Sequence, residues 1–305
     1  MSLLTRSFLF ILSLLLFAAC QQAEPTPTIP TQNEAINTIN KISSPAGDES
    51  PLDATPDPDG QMVYYTTSKR LYRVAAGGGD PTLLAEGSPL TTPWGLAISS
   101  DGQTLYVADP GSNAIFVVPA GGGTPAILPG SEGTSPRVPE IIVENGSDQL
   151  YYSGVSDNEP AILKMTPAGG PPSIIYKGSP LVDPSGVAIA SNGTVYVADR
   201  SGTIFQIRNG LAEAIASNIR AGDPISGLTL LHDQSLLLAS TLNPDNGTAQ
   251  VIMVNLGTME LALFNKVIGD NSGAAGLHRA HNGNFFAWAD FRKNPGDGAV
   301  YYLKP

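Results

Sequence analysis

Residues Pro93 to Leu128, PWGLAISSDGQTLYVADPGSNAIFVVPAGGGTPAIL, decide the fold. Four short apolar runs (Leu96 to Ile98, Thr104 to Val107, Ala114 to Val118, Pro125 to Leu128) are separated by Ser100-Asp101-Gly102, Asp109-Pro110-Gly111-Ser112 and Gly121-Gly122-Gly123. Each run has strand length and is too short for a helix, and the separators are turn formers. The stretch therefore reads as one four-stranded antiparallel sheet. Both of its faces are apolar, so it needs neighbours of its own kind to bury them.

The chain supplies them. Units opening on a Pro-x-Gly-like first strand begin PLDATP (Pro51), PWGLAI (Pro93), PEIIVE (Pro139), PSGVAI (Pro184), ISGLTL (Ile225) and AAGLHR (Ala274). Asp53, Gly95, Glu140, Gly186, Gly227 and Gly276 then align, 41 to 49 residues apart. Second strands align as well, from MVYYTT at Met62 through TLYVAD at Thr104 and TVYVAD at Thr194 to FAWAD at Phe286. A period in the forties with four strands per unit predicts an all-β fold, a six-bladed β-propeller of four-stranded antiparallel blades. The last unit ends at GAVYYLKP without a fourth strand, which would leave an unpaired edge. Ile42 lies nine positions before Pro51, the spacing at which other fourth strands carry an apolar residue. Residues 39–43 are therefore expected to close the ring.

Ahead of the propeller, at 39–305, come a secretory leader at 1–19 and a Pro/Thr-rich tether at 20–38. Arg6 supplies the positive end of the leader and Phe8 to Phe17 its apolar run, which is too short to span a bilayer permanently. Leu16-Phe17-Ala18-Ala19-Cys20 resembles a bacterial lipobox, with Phe17 departing from the usual Leu. That resemblance implies lipid attachment at Cys20, which is the only cysteine, and hence a membrane-anchored, extracytoplasmic protein of the cell envelope. A net charge of −11 disfavours nucleic acid as a partner. A monomer is expected.

PWGLAISSDGQTLYVADPGSNAIFVV and PSGVAIASNGTVYVADRSGTIFQI resemble NHL-type repeats, and the count of six matches NHL and gluconolactonase-like six-bladed propellers. The resemblance implies the fold. It is silent on activity, because such propellers include lactonases, lyases, sensors and binding platforms. It further implies that the openings of the inner strands and the turns between second and third strands share one face. Those turns vary in length (Gly154 to Ala161, Thr241 to Gln250, Asp290 to Ala299), so this is the expected working face.

In gluconolactonase-like enzymes, as the resemblance implies, Glu, Asn and Asp hold a divalent metal at this mouth, often just before the opening Gly. The equivalent residues here, Leu52, Trp94, Pro139, Ser185, Ser226 and Ala275, are not hard-cation ligands. Asp53 and Glu140, one position later, are weak metal candidates, with calcium as the cation. The preferred reading takes them as solvated loop charges. Asp109, Asp199 and Asp290 end second strands, either as an acidic ring or, by preference, as caps of their own turns. Trp94 is either a stacking platform or a plug. The candidate binding set is Asp53, Trp94, Glu140, Ser185, Ser226, Asp109, Asp199, Asp290 and Arg292, with no catalytic residue assigned. His278, His281 and His232 match no metal or triad motif. The expected function is a non-catalytic binding or scaffold module for a protein, peptide or glycan, without a cofactor. The alternative is a lactonase-like metal-dependent hydrolase or lyase.

Overall fold

The computed structural model describes residues 38–45, 49–221, 227–243, 247, 249–264, 273–291 and 298–304. The leader, Cys20 and the tether lie outside them, as do Ser226 and Arg292. Strand β1 (Thr38–Ser43) comes first, followed by blade one: β2 (Pro51–Pro56), β3 (Met62–Thr67), β4 (Arg70–Ala75) and β5 (Thr82–Glu86). Blade two is β6 (Leu96–Ile98), β7 (Thr104–Asp109), β8 (Ala114–Pro119) and β9 (Ala126–Ile127). Blade three is β10 (Pro139–Glu144), β11 (Ser147–Ser156), β12 (Glu159–Met165) and β13 (Ser173–Lys177). Blade four is β14 (Pro184–Ile189), β15 (Val195–Asp199), β16 (Thr203–Arg208) and β17 (Leu211–Ala216). Blade five holds β18 (Arg220–Ala221), β19 (Leu228–Leu230), β20 (Leu236–Leu242), β21 (Ala249–Asn255) and β22 (Leu261–Phe264). Blade six has β23 (Ala274–Arg279), β24 (Phe286–Asp290) and β25 (Ala299–Lys304).

Every ladder is antiparallel, and among the described residues there is no helix. In blade six β1 is the outermost strand, pairing Ile39 with Leu303 and Lys41 with Tyr301. The ring is closed by the N-terminal strand, which removes the open edge that the truncated sixth unit would present.

Six principal apolar clusters sit at the six contacts between neighbouring blades. Leu71 and Leu84 of blade one meet Leu96 and Phe116 of blade two. Ile115 of blade two meets Ile141 and Tyr152 of blade three. The sixth contact joins Val63 and Tyr65 of blade one to Ala287 and Val300 of blade six, with Ile42 of β1 inserted between them. Burial of both faces explains why the strands read as continuous apolar runs rather than alternating ones. It also pushes the phenols of Tyr65, Tyr106 and Tyr152 up to about 12.

The turns follow residue chemistry. Asn145-Gly146 and Asn209-Gly210 both have positive φ at each residue, the backbone of two-residue hairpin loops whose twist matches the flanking strands. Asp157-Asn158 does the same (φ 51° and 64°). The stretch from Gly154 to Ala161, expected as a variable loop, is therefore mostly strand: β11 and β12 stay paired out to Ser156 and Glu159. The other two long turns, after Thr241 and Asp290, fall largely outside the described residues.

Candidate functional site in the central channel

The first strands of the blades ring the channel, and three of them carry a titratable side chain into it. His278 of β23 is 2% exposed and Asp53 of β2 is fully buried. His278 Nε2 lies 3.1 Å from Asp53 Oδ2, and its Nδ1 lies 2.8 Å from Glu140 Oε2 on β10. One imidazole thus bridges two carboxylates from blades one and three. Burial by itself would depress its pKa, but the charges and hydrogen bonds of Asp53 and Glu140 outweigh it and raise it to about 10. At neutral pH the group is an imidazolium, a donor at both nitrogens.

Asp53 is further engaged. The amide of Ala54 donates to its Oδ1 at 2.9 Å, and the amide of Leu96, in blade two, donates to Oδ2 at 2.8 Å. Its side chain fits because the residue facing it is glycine: a Cβ on Gly276 would stand 1.5 Å from Asp53 Oδ1. The recurrent Gly of the first strands has the same cause elsewhere. A Cβ on Gly95 would stand 2.3 Å from the Arg137 carbonyl oxygen.

On the face with the inner-strand openings, a small apolar cluster sits at the mouth. Leu52 and Val138 are buried there, with Trp94 and Phe291 against them. Arg137 covers the Trp94 ring at 5.7 Å and pairs with Asp183 at 2.7 Å. Trp94 is half-buried.

The strand-end carboxylates are tied to backbone amides. Asp109 accepts from Thr91, Thr92 and Ser112 at 2.6, 2.9 and 2.9 Å, and Asp199 from Val182, Asp183 and Ser201 at 2.9, 3.0 and 2.8 Å. Each thereby fastens the chain entering its blade to the end of the second strand. Asp290 is buried at the end of β24, and the Ser185 hydroxyl donates to the Ala198 carbonyl at 3.2 Å.

Asp53 departs from the expectation of a solvated loop charge. Asp53 is fully buried while Glu140 stays partly exposed to the cavity, and His278 takes one carboxylate oxygen of each. Among the described residues no group of three or more His, Cys, Asp or Glu side chains is arranged to hold a metal ion. A divalent cation placed between these carboxylates would meet an imidazolium, so the donor set does not fit calcium. His278 was missed because it matches no motif. The available signal was positional: two residues beyond the aligned Gly, the other units carry Thr55, Ala97, Ile142, Ala188 and Thr229.

Below His278 the channel widens into a polar cavity of about 290 Å³, lined from blades two to six and including Glu140, Arg279 and His281. Ser100, Ser191 and Gln234, in or beside turns between first and second strands, form part of its lining. The cavity thus belongs to the face opposite the one with the inner-strand openings.

No protein-family model and no curated protein sequence matches the chain. Solved structures do. A gluconolactonase, XC5397 from Xanthomonas campestris, is 16% identical with a TM-score of 0.57, covering 88% of this chain and 95% of that one. The PQQ-bound aldose sugar dehydrogenase of Streptomyces coelicolor is 14% identical with a TM-score of 0.63, over 88% and 98%. A chain of a nidogen/laminin complex is 19% identical with a TM-score of 0.60, over 72% and 81%. The class is thereby defined as a six-bladed β-propeller, an architecture shared with both enzymes and binding proteins.

Proposed function

We propose that this protein is a lipid-anchored, extracytoplasmic propeller that acts as a non-catalytic binding or scaffold module for a protein, peptide or glycan through its loop-bearing face. The observation that carries this reading is the bridge of His278 to Asp53 and Glu140. It engages the two carboxylates that a metal-dependent hydrolase of the lactonase-like kind would need free, beneath the apolar cluster of Leu52, Trp94, Val138 and Phe291.

The direction of the N-terminal strand supports the same reading. Thr38 pairs with Lys304, the final residue of β25, and Ser43 with Val300 near its start. The chain therefore enters β1 from the side of the first-to-second-strand turns. A tether anchored at Cys20 would join the disc on that side and leave the loop-bearing face pointing away from the bilayer.

Two measurements test the proposal. Calorimetry with Ca²⁺, Zn²⁺ and Mn²⁺ is expected to show no stoichiometric tight binding, and a tightly held ion at the channel would overturn the non-catalytic reading. Cys20→Ser is expected to move the protein from the membrane to the soluble fraction. Retention of the variant in the membrane would overturn the anchor.

A further inference from the structure

The geometry points to a second binding site, for a small zwitterion of amino-acid to dipeptide size, in the polar cavity on the side of the disc opposite the loop-bearing face. The site is built around Arg279. Its Nε donates to the Leu230 carbonyl at 2.9 Å, and its Nη1 reaches the carbonyls of Ala280, His281 and Gly283 at 2.5, 3.3 and 2.8 Å and His232 Nδ1 at 3.2 Å. These contacts fix the guanidinium plane. They leave Nη2 without a partner among the described residues, and no described carboxylate forms an ion pair with the group. Arg279 lines the cavity as a held cation, with the Glu140 carboxylate on the same lining acting on it through space rather than by direct contact.

Glu140 lines the same cavity. His278 takes its Oε2, and among the described residues Oε1 carries no hydrogen bond. Gln234 Oε1 accepts from the Ser191 amide and hydroxyl at 3.0 and 3.1 Å, which fixes its amide and leaves Nε2 as a donor to a ligand. His281 Nε2 is turned to the Ile98 carbonyl at 3.3 Å, leaving Nδ1. Ile142, Ile189 and Leu230 supply apolar wall between these groups.

The lining selects the ligand by its charges. An anion alone would meet Glu140 and a cation alone would meet Arg279. A molecule with a carboxylate for the guanidinium and an ammonium for the glutamate satisfies both. A sugar would find little stacking surface, because no Phe, Tyr or Trp among the described residues lines the cavity. The apolar wall favours an aliphatic side chain, and the volume accommodates leucine or a dipeptide with water.

The probes are leucine and glycyl-leucine, titrated calorimetrically into the whole mature chain, with leucinamide and 4-methylpentanoate as analogues lacking one charge. Saturable binding of leucine or glycyl-leucine is expected, weakened at least about tenfold when either charge is removed. Ser191→Trp, at an exposed rim position, is expected to abolish it while leaving the melting temperature unchanged; Arg279→Gln should do the same if it folds. The inference is overturned if neither zwitterion binds at millimolar concentration, if 4-methylpentanoate or leucinamide binds as well as leucine, or if a folded S191W variant binds unchanged. None of these outcomes bears on the loop-bearing face, so the proposed function stands or falls separately.

Discussion

His278 shows how one side chain holds three blades. It is an imidazolium between two carboxylates, and removing one partner from such a buried arrangement strands the rest. His278→Gln should lower stability by about 3–5 kcal/mol in urea titrations at pH 7. The pH dependence has a definite sign. Because the folded protein raises this pKa from 6.5 to about 10, the native state binds the proton more tightly than the unfolded chain does. The stabilisation is complete below about pH 6.5 and is lost as pH rises through 10. Melting temperatures should fall steadily from pH 6.5 to 9.5, a range below the titration of the buried tyrosines, and His278→Gln should flatten that fall. A wild-type profile as flat as the variant's would refute the charged bridge. The three members were visible in the sequence only as oddities, two carboxylates at positions that elsewhere are glycine and a histidine two places beyond another. Their meeting could not be read, because Asp53 and His278 are 225 residues apart and adjoin only when the ring closes.

At the scale of elements, β1 is the part on which closure depends. It contributes Ile42, 5% exposed, to the contact between blades six and one, and Ser43 Oγ lies 3.0 Å from the buried Tyr65 hydroxyl. Ile42→Ala should cost about 2–5 kcal/mol, the usual range for emptying a buried aliphatic site. Deleting residues 36–46 should lower the melting temperature much further, whereas a chain beginning at 36 should melt like one carrying the whole tether. Equal melting temperatures for all three chains would show that closure contributes nothing. This element was legible beforehand from an incomplete last unit and from the spacing of fourth-strand apolar residues. The extent of β11 and β12 was not legible, because Asp157-Asn158 gives the left-handed turn without the glycine that usually marks it.

For the whole molecule, the two faces of the disc have different chemistry and different orientations to the chain entry. In vesicles carrying the lipidated protein and a headgroup-labelled energy acceptor, a fluorophore on Asn192→Cys should be quenched more than one on Asp157→Cys. Both positions are exposed, and they lie on opposite faces. The reverse order would place the loop-bearing face against the bilayer. The amino-acid sequence by itself determined the blades, their number and the strand that latches them, because repeat period, turn residues and two-sided apolar runs are local properties that every unit restates. Only the tertiary structure decided what the channel contains. Its lining draws side chains from several distant strands, so a carboxylate that looks like a solvated loop charge in one unit becomes the buried partner of a cation from another.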